Sequence, residues 1–190
     1  MKYIRQSLIL LAILTLITGV IYPLFIYAIG KTMFPVQANG SLIEQNGQLI
    51  GSSLIGQQFS QNKYFWSRPS ASSNNPYNAL ASGGSNLGPL NPQLISNVKD
   101  RVALLQAGNP SNAPIPVDLV TASGSGLDPE ISVSGAYFQM QRIAQVRHLS
   151  VSQVQEIIDK NAKYPLLGFL GEARVNVLAL NIALDKIKGV

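Results

Sequence analysis

The chain has 190 residues, room for one ordinary domain or a smaller domain with an appendage. Charged side chains are 12% of it and hydrophobic ones 46%, which excludes a chain disordered throughout. With no cysteine and one histidine, His148, a disulfide scaffold, a thiolate or multi-histidine metal site and a cysteine nucleophile are excluded as well.

The apolar residues are unevenly placed: 21 lie in the first 30 positions. Gln6 to Gly30 is 25 residues without a charge, 14 of them Leu, Ile, Val or Phe. As a helix this stretch exceeds the roughly 30 Å hydrocarbon core of a bilayer. Those 14 residues favour insertion by roughly 4–8 kcal/mol in sum. Lys2 and Arg5 precede the segment and Lys31 follows it, so the positive-inside rule places the N-terminus in the cytoplasm and the rest outside. The rival reading is a cleaved signal peptide ending at Ala28-Ile29-Gly30, but signal h-regions are usually 7–15 residues. Ala12, Thr15, Gly19 and Tyr22 share one helix face, a small-residue stripe that either admits a second transmembrane helix or is merely tolerated in lipid.

The remaining sequence carries scattered charges, 12 basic and 9 acidic, with no basic stripe, so no nucleic-acid partner is expected. Residues 41–50 read as a β-hairpin turning at Asn46-Gly47. Leu54, Ile55 and Phe59 suggest a further short strand. Pro69 to Val98 is 30 residues without a charge, rich in Ser, Asn, Gly and Pro. Such composition suits a flexible linker. Its punctuation by apolar residues, among them Tyr77, Leu80, Leu87 and Leu90, after Tyr64-Phe65-Trp66, favours an ordered loop pinned to the domain or a partner. Asn91-Pro92 starts a helix with Ile95, Val98, Val102 and Leu105 inward and Gly108 at its end. Pro116–Thr121 reads as a strand, and Asp128-Pro129-Glu130 as the start of a helix running to about Arg147. Ser150 and Gln153 form a capping-box pattern, opening a helix with Val151, Val154, Ile157 and Ile158 inward. Leu166–Gly171 is loop or strand, and Val175–Ile187 is strand then helix, capped by Asn176. The expected class is α+β: a cytoplasmic N-terminus (1–6), one transmembrane helix (7–30) and a single extracytoplasmic mixed α/β domain (31–190).

Little here resembles catalytic machinery. Gly124-Ser125-Gly126 lacks the Gly-x-Ser-x-Gly spacing of a nucleophile elbow, and His148 sits at a helix end, as a dipole-facing cap would. Residues 81–86 and 121–126 offer backbone N–H groups in Gly-Ser clusters, but neither is a Walker motif. Tight turns in a rigid docking loop explain them better, since ATP is a cytoplasmic ligand and the domain is expected to face outward. Asp118, Asp128 and Glu130 have no calcium-loop spacing, and no metal site is expected.

Several stretches, in order and covering nearly the whole chain, resemble the KdpC family, the C subunits of bacterial Kdp potassium-transporting ATPases. They are Ala38-Asn-Gly-Ser41, Leu54-Ile-Gly-Gln57, Tyr64-Phe-Trp-Ser-Arg-Pro-Ser-Ala71, Tyr77-Asn78 and Ala81-Ser-Gly-Gly-Ser-Asn-Leu-Gly-Pro89. The 14-residue run from Pro116 to Pro129 is the most specific, followed by Leu167-Gly-Phe-Leu-Gly171 and Arg174-Val-Asn-Val177. Ala173 departs from the family's usual proline, and Val133–Gln145 departs from its common pattern. The resemblance implies a non-catalytic, single-pass subunit of the bacterial inner membrane. Its implied partners are a channel-like potassium-binding subunit, a P-type ATPase subunit that hydrolyses ATP, a very small membrane peptide and the lipid bilayer. K+ and ATP are then ligands of the complex, with no cofactor expected on this chain. Two roles follow. One is an assembly subunit whose outer domain sits near the potassium entrance. The other is a catalytic chaperone that raises the ATPase subunit's affinity for ATP, with Ser82, Gly83, Gly84 and Ser85 as the nucleotide-contacting motif.

Overall fold

The computed structural model describes residues 2–73, 75–109 and 113–187. Met1 of the expected 1–6 segment, Asn74 of the uncharged stretch, and 110–112 and 188–190 of the expected domain lie outside the described residues. The chain divides into two compact units, Met1–Ser52 and Ser53–Val190.

The first unit begins with one long apolar helix, Tyr3–Met33, none of it buried. It consists of α1 (Lys2–Leu16), a π-helical turn (Ile17–Ile21) and α2 (Tyr22–Met33). The wide turn has a local cause. Pro23 has no N–H to give the carbonyl four residues back, and the helix adjusts just upstream, where Tyr22 N–H reaches Ile17 O. Ala12 and Thr15 therefore lie before the π turn, Gly19 within it and Tyr22 after it, so the four do not keep a strict α-helical spacing. A short helix α3 (Pro35–Ala38) leads into the hairpin β1 (Leu42–Gln45) and β2 (Gln48–Ser52). Asn46 and Gly47 take φ of 53° and 76°, as the tight turn demands.

The second unit is built on a three-stranded antiparallel sheet: β3 (Glu130–Ser132), β4 (Ala162–Lys163) and β5 (Arg174–Asn176), with β5 in the middle. Ile131 and Ala162 both register with Val175, which is fully buried. Around it pack α4 (Pro92–Gly108), α5 (Val133–Arg147), α6 (Val151–Asn161) and α7 (Val177–Lys186). Their starts follow side-chain capping chemistry. Asn91, Ser132, Ser150 and Asn176 each accept a hydrogen bond from a backbone N–H of the first turn, and Ser150 with Gln153 completes the capping box. His148 closes α5 in the left-handed conformation at φ 55°.

Four expectations need correction. Leu54, Ile55 and Phe59 form no strand; Gly56 N–H goes instead to Leu127 O at 2.8 Å. Pro116–Thr121 is not a strand but holds a 3-10 turn at Val117–Leu119. Val117 is exposed while Leu119 is buried, whereas a strand would put both on one face. Asp128 does accept the capping-type bond from Glu130 N–H at 3.0 Å, but no helix begins there. Pairing of Ile131 with Val175 draws 130–132 into the sheet, and the helix starts four residues late, capped by Ser132 in place of Asp128. Lastly, Val151 and Ile95 face solvent; the buried residues are Val154, Ile157 and Ile158 on α6 and Leu105 on α4.

Candidate functional site

The most elaborate construction in the second unit is the segment from Tyr64 onward, held against α5 and α7 by polar side chains. Phe65 N–H donates to Asn181 Oδ1 at 2.8 Å, and Asn181 Nδ2 donates to Phe65 O at 3.1 Å. Trp66 makes the same reciprocal pair with Gln139, at 2.7 and 3.2 Å. Two carboxamides thus act as a neighbouring strand would, satisfying four buried backbone groups. Phe65 and Trp66 can then bury their rings without leaving peptide groups dry.

Arg142 secures this from below. It is 2% exposed, and its partners are all neutral oxygens: Asn62 O, Tyr64 O (3.0 Å), Asn109 Oδ1 (3.1 Å) and Gln139 Oε1 (2.8 Å). Its guanidinium lies 4.3 Å from the Trp66 ring centroid. Burial, and secondarily Arg101, push its pKa down to about 10, so it stays cationic at neutral pH. Arg147, also on α5, bonds Lys63 O and Asp185 and lies over the Tyr64 ring.

Beyond Trp66 the chain runs into the uncharged stretch, which is ordered where described. Arg68 pairs with Asp128 at 3.0 Å, and Tyr77 OH donates to Arg68 O at 2.6 Å. Burial raises the Tyr77 phenol, and Asp128 adds to this while Ser67 and Arg101 oppose it. Ser70 OH donates to Gly126 O at 2.6 Å, and Ser72 OH to Asn75 O.

The two Gly-Ser clusters meet here. Gly83 N–H and Ser82 OH both donate to Ser125 O, at 2.8 and 3.0 Å. A Cβ on Gly84 would stand 3.1 Å from Gly124 O, and one on Gly126 only 2.9 Å from Gly83 O. Glycine is needed at 126 twice over, because φ there is +69°. So Ser82, Gly83 and Gly84 lie against residues 124–126, with the Gly83 N–H engaged by the protein itself. Ser85 also lines a cleft of about 430 Å³ with Ser70, Leu94, Asn97, Arg101 and Ala122. At the outer edge, Leu80 and Leu90 are 98% and 90% exposed.

Among the described residues no cluster of three or more His, Asp or Glu is placed to hold a metal ion. Asp118, one of the three carboxylates considered above, instead accepts from the N–H and OH of Ser132, at 2.7 and 3.0 Å. The sequence reading missed Gln139, Arg142 and Asn181. The available signal was polar residues on otherwise apolar helix faces: 139 and 142 among Ala136, Phe138 and Ile143, and 181 among Leu178, Leu180 and Leu184.

The molecule is thus of the mixed helix-and-sheet class, with one N-terminal helix long and apolar enough to cross a membrane and an α/β region after it. A family model described as "K+-transporting ATPase, c chain" matches residues 4–186. A protein of Herminiimonas arsenicoxydans named "Potassium-transporting ATPase KdpC subunit" is 59% identical over 184 residues, covering 96% of this chain and 97% of its own. A protein of the same name from Herpetosiphon aurantiacus is 57% identical over 189 residues, covering 99% and 98%. The chain belongs to the KdpC family.

Proposed function

We propose that this chain is a non-catalytic accessory subunit of an ATP-driven, P-type potassium uptake complex. It is anchored by its N-terminal helix, with the folded domain outside the cytoplasm and seated on a channel-like subunit near the potassium entrance. The carrying observation is the uncharged stretch, fixed to the domain by Arg68–Asp128 and the Gly-Ser pairing while it presents Leu80 and Leu90 bare to solvent. An uncharged, pre-organised surface with exposed leucines suits protein contact.

The test is photolabelling with an ATP analogue in sealed, correctly oriented vesicles holding the assembled complex. The expected result is no label on this chain when the analogue is on the cytoplasmic side. Labelling of 82–85 from that side would support the catalytic-chaperone role instead.

The anchor contributes its own contact. A Cβ on Gly19 would lie 3.9 Å from the Thr15 methyl, an ordinary distance, so the helix itself does not require glycine there. Space for a neighbouring helix is a reason for it. Thr15→Leu with Gly19→Leu is expected to reduce co-purification of the complex severalfold. Unchanged assembly would remove the packing face of Ala12, Thr15, Gly19 and Tyr22.

A further inference from the structure

A second cleft, of about 290 Å³, shares Pro69, Ser70, Arg101 and Leu104 with the one that Ser85 lines, but contains none of residues 82–85. Phe59, Trp66 and Tyr77 give it aromatic walls. Arg68 and Arg101 line it, and among the described residues no carboxylate does. A cavity near the lower end of the roughly 300–1,000 Å³ of ligand pockets suits a compact molecule.

The two guanidiniums are not equivalent. Arg68 is paired with Asp128, and its Nε is buried with no acceptor, so it adds positive field at the cleft wall rather than a contact. Arg101 has only neutral partners: Nε donates to Leu119 O at 3.0 Å and Nη2 to Ser67 O at 2.8 Å. Its Nη1 has no acceptor among the described residues and is not sealed from solvent. Burial lowers the Arg101 pKa, and only Tyr77 opposes this; no carboxylate does. Arg142 lies 4.3 Å from the Trp66 ring centroid and Arg101 5.8 Å, and Arg142 too has only neutral partners. Among the described residues, Arg68, Arg101 and Arg142 together have one carboxylate, Asp128. A half-buried cation without a counter-charge is unfavourable, and an anionic ligand relieves it.

The other donors decide the class of anion. The hydroxyls of Ser67, Ser70 and Tyr77 are already committed, to Gln57 O, Gly126 O and Arg68 O. A phosphate, with its several strongly accepting oxygens, would find too few donors. A single carboxylate on a flat apolar body matches one open guanidinium edge among aromatic walls. We propose that this cleft binds a small organic monocarboxylate, its carboxylate on Arg101 Nη1 and its apolar body against Phe59, Trp66 and Tyr77. The neighbouring cleft of about 430 Å³ shares Arg101 but carries Asp100, which repels an anion and leaves the smaller cleft favoured. The site does not depend on where the domain docks.

Trp66 is the sole tryptophan and lines the cleft, so its fluorescence reports occupancy. Sodium benzoate, titrated into the full chain in detergent against sodium chloride of equal ionic strength, is expected to change that fluorescence saturably. The half-maximal change should come at about 1 mM or below. Benzamide, the same shape without the charge, should leave it unchanged. Arg101→Gln is expected to weaken benzoate about tenfold or more, the loss of a charge-assisted hydrogen bond. Because Arg101 also holds Leu119 O and Ser67 O, a second variant spares the fold. Ser60→Glu puts a negative charge at an exposed lining position, and should weaken benzoate severalfold with the thermal midpoint unmoved. A change that does not saturate, an equal response to benzamide, or an affinity untouched by Ser60→Glu would overturn the site. So would loss of radiolabelled benzoate binding in the assembled complex, which would give the cleft to an acidic side chain of a partner.

Discussion

Replacing Arg142 with methionine lowers the thermal midpoint of the folded domain by roughly 10 °C or more. Methionine fills a comparable volume, so the loss is one of hydrogen-bond donors and charge. The part-buried carbonyls of Asn62 and Tyr64 and the buried side-chain oxygen of Asn109 lose their guanidinium partner. A buried polar group left unpaired costs about 1–3 kcal/mol. Gln139 Oε1 still accepts from Trp66 N–H, and Asn109 can partly readjust, so the expected total is about 3–5 kcal/mol. For a domain of this size each kcal/mol moves the midpoint by roughly 3–5 °C. Circular dichroism melting gives the midpoint, and fluorescence of Trp66, the sole tryptophan, reports whether its stacked site survives. Lysine at 142 should fall between the two, since it keeps the charge but not the planar fork. A midpoint within 3 °C of the unaltered protein would mean that the guanidinium does not hold the 62–66 segment.

Gly126→Ala comes next in size. At φ +69° an L side chain costs roughly 1–2 kcal/mol, and the new Cβ would press on Gly83 O at 2.9 Å and Ser72 N at 3.0 Å. Overpacking of this kind adds about 1–3 kcal/mol. The strain falls on the junction between the two Gly-Ser clusters, so the uncharged stretch should undock while the helical core stays folded. Hydrogen exchange reads this directly: the Gly83 amide, donated to Ser125 O, loses protection, and the amides of α5 keep theirs. Gly83→Ala is the matched control, since its Cβ would meet nothing within 4 Å and its φ is not left-handed. Equal protection of the residue-83 amide in both variants would show that the glycine at 126 is not what seats the loop.

Much of the architecture was legible because its signals are local. The apolar 6–30 run, the Asn46-Gly47 turn, the Asn91, Ser150 and Asn176 caps and the end of α5 near Arg147 each depend on residues a few positions apart. Where local signals competed with distant ones, the distant ones won. Asp128-Pro129-Glu130 has the chemistry of a helix start and makes its capping bond, yet Ile131 gains more by pairing with Val175 across the sheet. Val117 and Leu119 have strand-like spacing, but Asp118 is needed at the N-terminus of α5, and the backbone turns to deliver it.

The candidate site divides the same way. Its glycine and serine clusters, the aromatic 64–66 segment and the neutrality of 69–98 are properties of the sequence. That the two clusters are each other's partners could not be read from it, because nothing at 82–85 specifies which carbonyl forty residues onward will receive the Gly83 amide. Nor could Arg142, whose charge on a helix would ordinarily mean a solvated face.

By itself, then, the sequence determined the membrane-length helix, the starts of α4, α6 and α7 and the family, since composition, capping and motif order are properties of short stretches. Only the tertiary structure decided which polar groups lie buried. A dry carbonyl must find a donor wherever the fold places one, and at Tyr64 to Trp66 the donors are Arg142, Asn181 and Gln139 on α5 and α7, some 70 to 120 residues further along the chain.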